Sequence, residues 1–251
     1  MYRRKYWLLW ICIWIGADVA KESHARLIDD FTQGAVSLSD PLGLGSVADL
    51  KIGLDPAHIA AAARHITFNA IDGFPFGDTG IVTVEVDPND GGSLRHTPDT
   101  GLSAANFYVS YGVTSFGLPA MTLDLLEDGA ERLVIDFAYT IPNPGVSTPE
   151  FAMGVHLKSG NGATSGKFMP IPTSANPFSV EITFAQILGI APTFDLSDVT
   201  EIQIEAGNGT MKGRFAMDTI YTVPEPSTLT FAAFLSLVFA GKTKRRDRRR
   251  C

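Results

Sequence analysis

Between residues 65 and 222, apolar and β-branched residues recur in short alternating runs, each closed by glycine, proline, asparagine or aspartate. The runs are HITFNAI (His65–Ile71), GIVTVEVD (Gly80–Asp87), ANFYVSYG (Ala105–Gly112), MTLDLL (Met121–Leu126), RLVIDFAYT (Arg132–Thr140), FAMGVHLK (Phe151–Lys158), FSVEITF (Phe178–Phe184), VTEIQIEA (Val199–Ala206) and GRFAMDTIYT (Gly213–Thr222). Successive side chains on a strand point to opposite faces, so each run can bury one face and leave the other to solvent. The segments between them, among them DPNDGG, LEDGAE, IPNPG, SGNGATSG and AGNGT, supply the residues that turns need. About nine strands at this spacing, with almost no helical period, predict an all-β protein: an antiparallel β-sandwich or jelly roll. In LDPAHIAAAARHI, Asp55 and Pro56 suit a helix start, but no apolar face emerges. A helical turn or two is the most this stretch predicts, and FAQILGI (Phe184–Ile190) reads as a similarly short piece of helix.

Charge is distributed unevenly along the 251 residues. Of the 20 Lys/Arg and 27 Asp/Glu, the first 25 residues hold four and two, and residues 242–250 hold seven and one. The middle is left with 9 basic and 24 acidic groups, a charge of about −15. Phosphate contacts need a basic surface, so this body is not a nucleic-acid binder. The two cysteines, Cys12 and Cys251, lie at the extremities, which excludes disulfides, thiol catalysis and cysteine-based zinc sites from the body.

Both ends read as addresses. Arg3, Arg4 and Lys5 precede an apolar run from Tyr6 to Gly16, and Ser23-His24-Ala25 follows with small residues at the two positions a signal peptidase reads. Residues 1–25 are therefore expected to be a signal peptide, cut between Ala25 and Arg26, with the β domain occupying 26–222. At the other end, Leu229 to Gly241 carries no charge and would span about 20 Å as a helix, short of a bilayer core of roughly 30 Å. Lys242 and Lys244 can snorkel to narrow that deficit, and Arg245, Arg246, Arg248, Arg249 and Arg250 complete a basic stop-transfer block held in the cytoplasm. A C-terminal transmembrane helix is expected there. Pro224 and Pro226 hold the peptide before it extended and accessible.

The order Val223-Pro224-Glu225-Pro226, apolar stretch, arginine-rich end resembles the PEP-CTERM sorting signal of Gram-negative bacteria. The resemblance covers about the last thirty residues, with an apolar run shorter than usual. It implies processing by an exosortase after passage past signal peptidase, a transient inner-membrane tether, and delivery to the cell surface or exterior in an exopolysaccharide or biofilm setting. More loosely, IDDF (Ile28–Phe31), Arg64, VSYG, FDLSDVTEIQIEA and MDTIYT make the body similar to jelly-roll modules that precede such tails. Those modules resemble carbohydrate-binding domains in shape, which implies architecture more than ligand.

Chemistry-bearing residues in the body are sparse in pattern. Asp29 and Asp30 open the first strand and Asp218 lies in the last; if these strands neighbour one another, the three carboxylates could share a structural calcium. No other cofactor is called for. The loop DPNDGGSLRHTPDTG gathers Asp87, Asn89, Asp90, His96 and Asp99 but lacks the spacing of a helix-loop calcium site. There is no HExxH, no GxSxG around Ser115 and no phosphate-cradling glycine motif, so no catalytic residue is assigned. Phe74, Phe76, Phe107, Tyr108, Tyr111 and Phe116 could stack on sugar rings, although alternating strand aromatics more often form core. The leading expectation is an exported, non-enzymatic surface or matrix protein. A carbohydrate-binding module with an exposed row of aromatics is the alternative, and a glycan-active enzyme with two convergent buried carboxylates is the third reading.

Overall fold

The computed structural model describes residues 25–40, 46–70, 82–89, 91–98, 105–142, 151–206 and 213–224, within which Ala25–Val223 form one compact unit. Its strands are β1 (Arg26–Asp29), β2 (Val36–Asp40), β3 (Ser46–Ile52), β4 (Ala63–Ala70), β5 (Val82–Asp87), β6 (Ser93–Pro98), β7 (Ala105–Tyr111), β8 (Ala130–Pro142), β9 (Phe151–Ser159), β10 (Thr164–Ile171), β11 (Phe178–Thr183), β12 (Val199–Ala206) and β13 (Gly213–Pro224). They form two antiparallel sheets. One is seven-stranded, in the order β11-β8-β13-β6-β5-β2 with β1 also paired to β13; the other is six-stranded, β10-β9-β12-β7-β4-β3. Most neighbours are non-consecutive, so the chain crosses repeatedly between the sheets, as an all-β sandwich of jelly-roll type requires.

The alternation seen in the sequence sets which side chains fill the space between the sheets. Phe107, Val109 and Tyr111 of β7, Met153, Val155 and Leu157 of β9, and Ile202 and Ile204 of β12 face Leu133, Ile135 and Phe137 of β8 and Phe215 and Met217 of β13 in one continuous core. Phe215 meets Phe107 and Phe137 edge-on at centroid distances of 6.0 and 6.2 Å, so a single three-ring cluster joins both sheets. Each such side chain contributes roughly 1.5–3 kcal/mol on burial, enough for a domain that has no disulfide.

Eight of the nine expected strands are present. The exception is Met121–Leu126, which makes one isolated bridge, Leu123 to Val199, and otherwise runs without a ladder. Met121, Leu123 and Leu125 are all buried there, so the alternation reports an extended segment lying on the core rather than a paired strand. The Asp55 stretch forms a turn and a single 3-10 turn at Ala60–Ala62, with the Asp55 carboxylate accepting the Ala57 N–H at 2.9 Å. FAQILGI forms helix α1 (Phe184–Ile190), started by a reciprocal pair of hydrogen bonds between Thr183 and Gln186. No helix among the described residues is long and apolar enough to cross a membrane. The expected transmembrane stretch, 229–241, lies outside them.

Candidate functional site: the outer face of the six-stranded sheet

The first and last strands are indeed neighbours: Arg26 pairs with Thr222 and Asp29 with Ile220. Their carboxylates nevertheless go separate ways. Asp29 is wholly buried and receives Arg64 Nη1 on both oxygens at 2.9 and 2.8 Å, the Tyr111 hydroxyl at 2.7 Å and the Phe31 N–H at 2.8 Å. Burial pushes the Asp29 carboxyl up, and Arg64, Tyr111 and the Phe31 amide work against that rise. Arg64, equally buried, also donates to the carbonyls of Gln33 and Gly34 and lies 5.1 Å from the centre of the Phe31 ring. Asp30 is bound instead by Thr32 and by His58 Nδ1 at 2.6 Å. Asp218 lies toward Asp136 and Arg95; burial first, and then the Asp136 charge, raise its carboxyl. Among the described residues no three His, Cys, Asp or Glu side chains are grouped to hold a metal.

The remaining expectations sort by burial. Phe107 and Tyr111 are core, and His96 is wholly buried, stacked on Phe215 at 5.2 Å. Burial drives the His96 pKa down to about 4. Asp87 accepts the Asn89 N–H in a surface turn. Ala25 is exposed, Arg26 opens β1, and Val223 and Pro224 end β13. Glu225, Pro226, the basic block from Lys242 to Arg250, and Phe74, Phe76, Asp90 and Asp99 lie outside the described residues.

Tyr108 and Phe116 point the other way, onto the outer face of the six-stranded sheet. Register builds this face in rows across the strands. One row reads Phe168, Gly154, Glu205, Tyr108, Thr67, Ala48; the next reads Gly166, His156, Gln203, Ser110, His65, Leu50. Thr164, Lys158 and Glu201 begin a third. In the first two rows an aromatic ring stands opposite a glycine. A Cβ on Gly154 would lie 2.7 Å from the Phe168 ring, and one on Gly166 would lie 2.8 Å from His156 Nδ1. The glycines thus let both rings lie down on the sheet, where they meet edge to face at 5.2 Å. Glycine weakens a strand interior, so two of them under two rings mark a surface shaped at some cost in stability.

Around these rings the polar groups are cross-linked. Glu205 accepts the Tyr108 hydroxyl at 3.2 Å and lies 3.1 Å from His156 Nε2. Lys158 donates to Glu201 at 2.6 Å, and Gln203 donates to the Ser110 hydroxyl at 3.2 Å. Beside them opens a cleft of about 470 Å³, floored by His156, Lys158, Gly166, Glu201 and Gln203 and walled by Phe116 and Ile190. Phe116 packs on His65 with centroids 4.7 Å apart. Five of the protein's exposed large apolar side chains belong to this face or its rim: Phe168 (49% exposed), Phe116 (43%), Leu50, Ile52 and Ile190. The seven-stranded sheet is different. Outward it shows Arg132 in an ion pair with Glu181, and Ser179 donating its hydroxyl to Asp136.

An open cleft with aromatic faces, carboxylate and amide acceptors and a lysine donor suits a ligand that is apolar on its ring faces and rich in hydroxyls at its edge. The sequence could not have found Phe168, His156 and their glycines one strand at a time, because what distinguishes them is their pairing across strands.

No sequence family profile matches the chain, and no curated protein matches it. Among solved structures it is similar to a family 11 carbohydrate-binding module from Clostridium thermocellum in complex with a beta-1,3-1,4-mixed-linked tetrasaccharide, at 15% identity and a TM-score of 0.39, covering 80% of this chain and 95% of that one. It is also similar to the family 30 carbohydrate-binding module of a Clostridium thermocellum cellulosomal cellulase (16%, TM-score 0.36, 64% of this chain and 91% of that one). An agarase gives 11% identity and a TM-score of 0.41 over 77% of this chain and 25% of its own.

Proposed function

We propose that the β domain binds glycan on the outer face of its six-stranded sheet, without catalysis, in a protein exported and sorted to the cell surface. The observation that carries the binding reading is the pair of rings, Phe168 and His156, flattened over Gly154 and Gly166 beside an open cleft. A pyranose offers a C–H face to such a ring and hydroxyls to neighbouring acceptors and donors, here Glu201, Glu205, Gln203 and Lys158. The two carboxylates of the face sit four residues apart on β12, roughly 13 Å along a strand. Glycosidase pairs need about 5–10 Å between carboxylates. Each is also engaged by a cation or hydroxyl, which supports binding over hydrolysis.

In this reading, signal peptidase acts at Ala25–Arg26, an exosortase-type enzyme processes the segment from Val223 to Arg250, and the released domain works in the extracellular polysaccharide. The strand-end placement of Val223 and Pro224 is compatible with that use, since it leaves the folded body intact up to the motif. Retention of the purified protein on a panel of immobilised polysaccharides tests the binding reading. Retention lost on Phe168→Ala with an unchanged melting midpoint supports it, and no retention on any polysaccharide removes it.

A further inference from the structure

The charges of the same face allow the ligand class to be narrowed, an inference that rests on the glycan-binding reading. The outward positions of its described strands carry one lysine, Lys158, against two carboxylates, Glu201 and Glu205, and Lys158 is already held by Glu201 at 2.6 Å. The rest of the body adds to this, at about −15 between its two basic ends. Among the described residues no arginine fork faces the cleft, although a fork is the group that best recognises a carboxylate or sulfate. An anionic sugar laid here meets like charge at Glu201 and Glu205, and the outward positions of the described strands offer it no uncommitted cation. Like-charge juxtaposition at an interface is strongly unfavourable, whereas an uncharged hydroxyl finds acceptors ready.

The apolar contacts give the direction. Phe168 stands on edge strand β10, Phe116 rests on His65 of β4, and Leu50 and Ile52 are exposed on the opposite edge strand β3. Strands are about 4.8 Å apart, so these stations extend over roughly 24 Å across the sheet. An extended chain of pyranoses advances by a similar step per ring. We propose that the face selects an uncharged, linear polysaccharide lying across the strands and covering several consecutive sugars, and that it excludes polyuronates and sulfated glycans.

The test is affinity electrophoresis and calorimetry of the whole protein at low ionic strength, where charge effects are least screened. The probes are two neutral polymers, a linear β-glucan and agarose, and two anionic ones, alginate and polygalacturonate. Binding of a neutral polymer, with affinity for its oligosaccharides rising from disaccharide to hexasaccharide, and at least about tenfold weaker retention by both anionic polymers is expected. Glu201→Gln combined with Glu205→Gln should then narrow the gap. Alginate or polygalacturonate binding as tightly as the neutral polymers, in a manner lost on Phe168→Ala, overturns the charge selection while leaving the glycan face standing. Affinity that stops rising at the disaccharide overturns the extended-chain placement. No retention by any of the four polymers overturns the inference together with the reading beneath it.

Discussion

Two ion pairs of nearly equal length do opposite work in this domain. Arg64–Asp29, at 2.8 Å, has both side chains wholly buried; Lys158–Glu201, at 2.6 Å, leaves them 44% and 23% exposed. Distance does not separate them. Surroundings do. The first pins β1 and the loop after it to the core through one guanidinium nitrogen shared by both carboxylate oxygens, a tyrosine hydroxyl and two backbone carbonyls, so nothing from outside can reach its charges. The second is a shallow, solvent-facing pair whose charges are matched to each other while its remaining N–H groups and oxygen lone pairs stay open to a ligand's hydroxyls. A polar constellation in a β-sandwich should therefore be judged by what else it can touch.

Breaking the buried pair should have the largest effect. Removing one partner strands a charge in the core, so Arg64→Ala is expected to cost about 3–5 kcal/mol in a denaturant titration. Arg64→Met with Asp29→Leu should recover only part of that loss: no charge is orphaned, but the Tyr111 hydroxyl, the Phe31 N–H and the Gln33 and Gly34 carbonyls lose their partners. A loss below about 1 kcal/mol would mean the network is not what holds β1.

The core histidine gives the next largest effect. His96 is held near a pKa of about 4 by burial, below its ordinary 6.5. Between those values the unfolded chain binds a proton that the folded one refuses, so stability falls as pH drops from about 6.5 toward 4. The fall from this one group is about 3 kcal/mol. His96→Phe should flatten that part of the stability–pH curve, and an unchanged curve would show that other groups set the acid limit.

The open face should respond in binding more than in stability. Ala in place of strand-interior Gly ordinarily stabilises by roughly 0.5–1 kcal/mol. At Gly154 the added Cβ meets Phe168 at 2.7 Å, so Gly154→Ala should gain no stability while lifting the ring and weakening polysaccharide retention about tenfold. Stabilisation with unchanged retention would show that the flattened ring is not the platform. Smallest of all, a double-mutant cycle on Lys158 and Glu201 should give a coupling of about 0–1 kcal/mol in stability, as exposed pairs do. A larger coupling would mean the two pairs differ less than their burial indicates.

Much of the fold was legible because alternation is a property of single strands. β4, β5, β7, β8, β9, β11, β12 and β13 could each be read from their own residues. The strands that escaped are edges or mixtures. β10, TSGKFMPI, carries three polar residues, a glycine and a proline, and β3, SVADLKI, exposes Leu50 and Ile52 on the outer face while keeping Asp49 and Lys51 half-buried. Neither shows a clean apolar side.

The site was less legible for the same reason. Tyr108 and Phe116 are visible as aromatics, and alternation in β7 sets Tyr108 on the face opposite Phe107 and Tyr111, which are core, but no single strand shows which outward residues will flank it. Asp29 and Asp30 looked equivalent in sequence. Their different fates are decided by Arg64 and His58, about thirty residues away, once the chain has folded.

The most direct measurement of the central claim compares wild-type protein with Phe116→Ala/Phe168→Ala for binding to a linear neutral polysaccharide, with melting midpoints recorded alongside. Both side chains are nearly half exposed and stand outside the core, so their removal should leave the midpoint within a few degrees while retention falls by at least about tenfold. Retention equal to wild type in the doubly substituted protein, with the fold intact, would contradict the assignment of this face as the binding surface.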